Sequence, residues 1–195
     1  NISTTKKDLQ VGIIKLPSIS NFSDFDPLEN EDSIDLHWVK DLQSLDQYDL
    51  IIIPGSKQTI KDTLFLHESG LLKKIKIYSE HKGNIIGICG GMQILGEFLE
   101  DPYYKESNKQ MKLIHGAGIL PIRTKFLKEK ITKQIQCDSY WPCETHLLGF
   151  EIHNGITKVV KKNLSENFNP IFKEDRLGWY IDKNNGGITA GTYIH

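Results

Sequence analysis

Short apolar runs alternate with amphipathic stretches through the first half of the chain. Residues 11–16 (VGIIKL) are rich in β-branched side chains and predict a first strand. In residues 33–39, Ile34, Leu36 and Trp38 fall at alternate positions, which predicts a second strand with one buried face. Residues 50–53 are continuously apolar and stop at Pro54-Gly55, the pattern of a strand covered on both faces in a parallel sheet. Across residues 58–78, Ile60, Leu64, Leu71, Ile75 and Tyr78 recur at helical spacing, with a break near Ser69-Gly70. This predicts two helices or one broken helix. Residues 84–88 (NIIGI) predict another buried strand, which runs directly into Cys89-Gly90-Gly91. The apolar stretch 92–99 then predicts a helix.

The second half has a different texture. Short segments of strand character occur at 119–124, 131–137, 147–152, 157–160, 177–181 and 188–193, and helical periodicity is weak. No linker-like stretch separates the halves, so these segments read as strands added to an α/β core rather than as an independent domain. Residues 161–175 are polar and predict a surface loop. Residues 1–10 carry no apolar period and predict a linker, leaving 11–195 as one domain. The expected architecture is a three-layer α/β fold with a mixed, mainly parallel sheet and extra C-terminal strands.

Composition narrows the classes of function. A chain of 195 residues with 38% hydrophobic and 25% charged residues is ordinary for a single globular domain. Lys+Arg at 24 against Asp+Glu at 25 points to neither nucleic acid nor an anionic membrane as a partner. No apolar run is long enough to span a bilayer as a helix. Cys89, Cys137 and Cys143 form no regular disulfide framework, which suits a reducing cytoplasm. Cys137, Cys143 and His146 lack the paired short spacing of a metal site, so no metal is expected.

The chemistry concentrates at Gly87-Ile88-Cys89-Gly90-Gly91. A buried strand, a nucleophile between glycines and then a helix is the layout of a nucleophile elbow. Such a turn projects the sulfur above the sheet, and the following helix presents free N–H groups beside it. Those groups can hold an oxyanion. A structural cysteine in a glycine-rich turn has the same local sequence. The segment 51–53 ends in Pro54-Gly55-Ser56, and loops at the carboxyl ends of strands share one sheet edge, so N–H groups of Gly55 or Ser56 are candidates for the rest of an oxyanion hole. A simple strand-ending turn fits that tripeptide equally well. For the base, His195 follows Gly191-Thr192-Tyr193-Ile194, and His153 shares a strand face with Glu151. Spacing leaves these two histidines as rivals.

Several motifs taken together resemble the glutamine amidotransferase domain of the cobyric acid synthase family. They are residues 16–28 (LPSISNFSDFDPL), Pro54-Gly55-Ser56-Lys57, residues 87–93 (GICGGMQ), Asp101-Pro102, residues 149–155 (GFEIHNG) and residues 191–195 (GTYIH). They occur in the family's order across 11–195. The elbow is shared with cobyrinic acid a,c-diamide synthase and peptidoglycan-amidating relatives, whereas residues 16–28 are more discriminating. The resemblance implies a class I amidotransferase-like, flavodoxin-like fold with Cys89 as nucleophile and His195 as base. It implies that Gln93 contacts substrate and that Gly55, Ser56 and Gly90 surround the oxyanion. Typical class I amidotransferases carry a glutamate two residues past the histidine. The family resembled here relies on a Cys-His dyad, and this sequence ends at His195, which leaves Glu151 or His153 as candidates to orient the base or to hold the fold. Asn21, Asp24 and Asp26 are candidates for ligand or partner contact or for turn capping.

The resemblance further implies hydrolysis of glutamine through a Cys thioester. The ammonia would feed an ATP- and Mg-dependent synthetase domain that amidates corrin carboxylates in cobalamin biosynthesis. No Gly-x-x-x-x-Gly-Lys-Ser/Thr phosphate loop is present, so ATP and Mg are expected in the synthetase domain and no cofactor in this one. Two other classes stay open at this point. One is a catalytically silent docking module, in which Cys89 would be unreactive. The other is a different cysteine hydrolase, which would ignore glutamine and cleave peptides or esters.

Overall fold

The computed structural model describes residues 8–40, 44–107, 111–160, 167–184 and 186–195. Its first strand, β1 (Leu9–Ile14), is followed by a 3-10 turn (Phe22–Phe25), the single-turn α1 (Asp26–Glu29) and β2 (Ile34–Val39). Next come β3 (Leu50–Ile53), α2 (Thr59–Glu68), α3 (Leu71–Glu80), β4 (Asn84–Ile88) and α4 (Gly90–Leu95). The remainder is strand-rich: β5 (Phe98–Glu100), β6 (Leu113–His115), β7 (Ile122–Ser139), β8 (Thr145–Val159), β9 (Phe168–Pro170), β10 (Gly178–Asp182) and β11 (Ile188–Thr192).

Seven strands form the main sheet in the order β2-β1-β3-β4-β11-β10-β9. β2, β1, β3, β4 and β11 run parallel, and β10 and β9 add antiparallel at one edge. Alternation within the apolar runs divides the core. Ile14, Ile51, Ile53 and Ile85 face a layer built from Leu66, Leu71, Ile75, Met92 and Leu95 of α2, α3 and α4. Val11, Ile13 and Ile52 face the other way, against Phe25. Further along that second face, Ala190 packs with Cys137, Phe172 and Leu177. Each fully buried isoleucine contributes roughly 1.5–3 kcal/mol of transfer free energy, so both faces of the sheet are strongly specified. Among the described residues, no helix is long and apolar enough to cross a membrane.

Where the expected elements differ from the structure, the reason is local. β1 begins at Leu9 and so takes up two residues of the expected linker, while residues 1–7 lie outside the described residues. The break in the 58–78 helix is Gly70, which adopts φ 75° and starts α3 afresh. The helix expected over 92–99 stops at Leu95. Gly96 turns extended, and the backbone N–H groups of Ala117, Gly118 and Ile119 take the carbonyls of Ile94, Gly96 and Leu95. Phe98–Glu100 then pairs as β5 with both β6 and β7.

The C-terminal strands divide between two sheets. β9–β11 extend the main sheet, whereas β6-β5-β7-β8 form a separate four-stranded sheet. The segments expected at 119–124 and 131–137 are one strand, β7, with a register shift between Lys125 and Lys130, and those at 147–152 and 157–160 are β8. The polar residues in the middle of this ribbon face solvent, which made continuous strands look interrupted. The expected 161–175 loop is also shorter than its polarity suggests. Phe168–Pro170 is the edge strand β9, and Ile171 and Phe172 are buried; residues 161–166 lie outside the described residues.

This topology brings the chemistry to one edge. The register pairs Ile53 with Gly87 and Ile88 with Thr192, so β3, β4 and β11 end side by side. The loops leaving β1, β3 and β4, together with the segment after β11, therefore meet at the carboxyl edge of the sheet, where α/β folds build their sites.

Candidate active site

Cys89 occupies the turn between β4 and α4 with φ 51° and ψ −108°, a strained conformation for a residue with a side chain. Its N–H donates to the Thr192 carbonyl at 2.7 Å, which ties the elbow to β11. Gly91 has no alternative at its position, because a Cβ there would lie 1.9 Å from the Ile53 carbonyl oxygen. Gly91→Ala is therefore expected to lower the thermal midpoint and the yield of folded protein, since backbone rather than a flexible side chain must move. A destabilisation of roughly 3 kcal/mol or more would be read by denaturant titration. Unchanged stability would mean that α4 can slide off β3.

His195 is held in place. Its backbone exchanges two hydrogen bonds with Phe150 of β8, at 3.0 and 3.1 Å, and its side chain is only 5% exposed. The ring lies over Gly55, and Nδ1 is 2.8 Å from the Asp24 carboxylate and 3.3 Å from the Asn21 amide. With Nδ1 so engaged, Nε2 is the nitrogen left for Cys89. Burial alone would depress His195. Its hydrogen bonds to Asp24 and Cys89, and the charges of both, reverse that and push it up to about 9. The imidazolium is thus the resting form at neutral pH.

The structure brings Cys89, His195, Ser56, Gln93 and His153 to one cavity, with Gly55 under the His195 ring and Gly90 against Ser56, while Glu151 lies outside the lining. His153 stacks on Tyr193 with ring centroids 3.6 Å apart, and its two nitrogens meet the Gly155 carbonyl and the Glu151 carboxylate. Burial lowers its basicity despite Glu151. Burial would raise the Glu151 carboxyl, but Arg176, His153 and Lys133 hold it below its usual range. Both side chains are committed to a buried network within and beside β8, the fold-holding alternative of the two, and among the described residues neither bonds with the His195 ring. Glu151→Gln is expected to reduce stability by roughly 2–4 kcal/mol, with kcat of the folded protein changed less than tenfold. Thermal melts run beside turnover assays separate the two effects.

Asp24 makes the contact with the His195 ring for which Glu151 and His153 were candidates. The sequence offered no local signal for it, since the Asp24–His195 contact spans 171 positions. Asn21 accompanies Asp24, and Asp26 begins α1 instead.

Thirteen residues line a cavity of about 180 Å³ above the elbow. One wall is β8, where the Ile152 carbonyl lies 3.1 Å from Cys89 Sγ. Gln93 lines the cavity but is nearly saturated: its Nε2 donates to the Asn154 carbonyl and the Tyr193 hydroxyl, both at 2.9 Å, and its Oε1 accepts from Thr59. It acts as a strut joining α4 to β8 and the segment after β11. Ser56 donates to Asp62 at 2.6 Å, and Asp62 also accepts the Ser18 N–H, so the two loops flanking the site are bound to each other. The Ser56 N–H faces Gly90, where a Cβ would come within 2.9 Å. Backbone donors from the β3–α2 turn and the elbow thus adjoin. Glu106, Thr59 and Asn154 also line the cavity, and none was singled out by sequence.

Residues 10–195 match the family described as the CobB/CobQ-like glutamine amidotransferase domain. The chain belongs to this family. It is 60% identical over 191 residues to a cobyric acid synthase of Prochlorococcus marinus (strain MIT 9515), covering 96% of this chain and 38% of that protein. A second, from strain MIT 9301, is 57% identical over 190 residues, covering 96% of this chain and 37% of that protein. The chain therefore spans a little over a third of the length of these curated relatives. Among solved structures, the PurLQS structure from Thermotoga maritima superposes with a TM-score of 0.68 at 16% identity, over 96% of this chain and 87% of that one. A glutamine amidotransferase from the same organism gives a TM-score of 0.63 at 14% identity, over 97% and 76%. At such low identity these two establish the fold alone, which is that of a class I glutamine amidotransferase.

Proposed function

We propose that this domain hydrolyses glutamine within a cobyric acid synthase, with Cys89 as nucleophile and His195 as the proton carrier. The observation that carries the reading is the joint placement of a strained cysteine elbow and a histidine held by Asp24 over one polar cavity. The identity to cobyric acid synthases supports the wider context.

The chemistry follows from one proton shared between Cys89 and His195. With that proton on His195, the sulfur attacks the side-chain carbonyl carbon of glutamine as a thiolate, and a C–S bond forms. The oxygen becomes an oxyanion facing the backbone N–H groups of Gly90 and of the Gly55-Ser56 turn. His195 then gives its proton to the departing nitrogen, the C–N bond breaks, and ammonia leaves a glutamyl thioester. Neutral His195 takes a proton from water, the resulting hydroxide attacks the thioester, and the C–S bond breaks. Glutamate is released, and Cys89 and His195 are restored with their shared proton.

The ammonia would serve amidation of corrin carboxylates, a step requiring ATP and Mg. Those would be bound by the synthetase portion that accounts for the rest of the relatives' length. A glutamine-mimicking chloroketone is expected to add its mass to a single peptide containing Cys89, and excess glutamine should protect that peptide. Labelling spread equally over Cys137 and Cys143, or absent from folded protein, would refute the catalytic reading. A docking module would behave in the second way.

A further inference from the structure

Asp62 is a buried acid that the hydrolysis just described does not use. It sits on the first turn of α2, is 1% exposed and, among the described residues, forms no ion pair. Instead, both of its oxygens accept hydrogen bonds from outside the helix. Oδ1 takes the Ser18 N–H at 3.2 Å, and Oδ2 takes the Ser56 hydroxyl at 2.6 Å. The Ser18 hydroxyl bonds to the carboxylate as well, and Ser56 Oγ in turn accepts the Gln58 N–H at 3.0 Å. Burial raises the Asp62 carboxyl, and the bonds from Ser56 and Ser18 offset only part of that rise. Its burial costs free energy that no cation returns, so its value lies in what the two oxygens hold.

The two loops it holds carry different halves of the site. Ser18 belongs to the segment after β1, which continues to Asn21 and Asp24 beside the His195 ring. Ser56 belongs to the turn after β3, whose backbone adjoins the elbow at Gly90. The backbone links between these loops are few. The Ser20 N–H donates to the Gly55 carbonyl at 3.0 Å, the Lys57 N–H donates to the Ser18 carbonyl at 2.8 Å, and Ile19 and Ser56 form an isolated antiparallel bridge. A strand pair this short has little stability of its own. Asp62 fastens it to a helix of 10 residues, which is itself anchored in the core through Leu66.

We propose that Asp62 is a positioning residue for glutamine hydrolysis, which sets the oxyanion-facing turn and the base-holding loop at a fixed separation. This rests on the glutaminase reading and adds to it. The task calls for two acceptors on one side chain. The Ser18 N–H and the Ser56 hydroxyl both donate, so the amide nitrogen of an asparagine would face one donor or the other. An acid that served only to hold α2 would behave differently. Its loss would lower stability and leave the chemistry of the folded molecules as it was.

The test is steady-state hydrolysis of glutamine by wild-type, Asp62→Asn and Asp62→Glu protein. kcat is expressed per Cys89 titrated by the chloroketone, so that only folded, competent molecules count. Asp62→Asn is expected to lower kcat by roughly 10–10²-fold, the scale of a misplacement of about 1 Å in a reacting site, with KM little changed. Asp62→Glu keeps both acceptors and should recover part of the loss. Ile75→Val, a core change on α3 that touches neither loop, should lower the thermal midpoint and leave kcat unchanged. An unchanged kcat in Asp62→Asn, a loss carried by KM alone, or an equal fall of kcat in Ile75→Val would overturn the proposal. Should Asp62→Asn fail to fold, Ser56→Ala breaks the same bond from the other side and keeps the backbone N–H. Its kcat should then fall roughly tenfold with KM held, and an unchanged kcat would overturn the proposal. If wild type releases no glutamate and Cys89 resists the chloroketone, the failure lies with the glutaminase reading, and this proposal falls with it.

Discussion

Cys89→Ser is expected to lower glutamate release from glutamine by roughly 10⁴-fold or more, the scale on which removal of a catalytic nucleophile acts. The replacement keeps the Cβ and the N–H that donates to Thr192, so the elbow should keep its shape. It changes the atom that carries the reaction. A serine hydroxyl holds its proton far more tightly than a thiol and gives it up to His195 far less readily. Stability should move by about 1 kcal/mol or less, because one atom in a partly polar wall is exchanged. Steady-state glutamate assays with a matched thermal melt check both statements. A folded variant within tenfold of wild type would remove Cys89 from the mechanism and leave the elbow as a structural turn.

Asp24→Asn is the second large effect, with kcat expected to fall by roughly 10²–10⁴-fold and KM for glutamine little changed. Asp24 touches His195 and does not line the cavity above Cys89, so a positioning role predicts that its loss appears in the pH profile as well as in rate. With Asp24 present, His195 stays protonated up to about 9, and activity needing the imidazolium falls only above that pH. Without the carboxylate, burial is opposed only by Cys89, and the alkaline limb should move towards neutrality. The stability linkage has a definite sign. His195 is raised above its ordinary value of 6.5, so the stabilisation from its partners is complete below that pH and is lost as pH rises through about 9. The gap in thermal midpoint between wild type and Asp24→Asn should therefore be wide at pH 6 and narrow by pH 9.5. An unchanged alkaline limb would show that Asp24 only packs the loop. Partial recovery in Asp24→Glu would argue for the charge.

Residues 16–28 illustrate how far local sequence could carry this site. Their density of Asn, Ser and Asp reads as turn chemistry, and part of the segment does form a 3-10 turn followed by α1. That Asp24 also meets His195 depends on β1 and β11 ending at the same sheet edge, which no window of the sequence contains. Residues 149–155 behave in the opposite way. Their acid and histidine suggested catalysis, yet much of the segment's contact with the site is made by backbone. Phe150 pairs with His195, the Ile152 carbonyl meets Cys89, and the Asn154 carbonyl accepts from Gln93. Gly149 is required beside them because a Cβ there would lie 2.7 Å from the His195 carbonyl oxygen.

What the sequence determined by itself is what depends on near neighbours. The apolar runs at 50–53 and 84–88 were strands to the residue, because continuous β-branched stretches bounded by turn residues admit little else. The strand–Cys89–helix turn was legible from its local pattern, and Gly87 answers to Gly91 and Met92 close by, although Gly90 and Gly91 are required by Ser56 and Ile53 far along the chain. The motif at 191–195 pointed to His195 through its family resemblance, but the tertiary structure alone decided which acid meets that histidine, how the late strands divide between two sheets, and that Glu106 reaches the cavity. Each of those contacts joins residues far apart along the chain, and the pairing is set by sheet order and register. Side-chain chemistry at either end is the same whether or not the partner arrives, so a linear reading carries no trace of it.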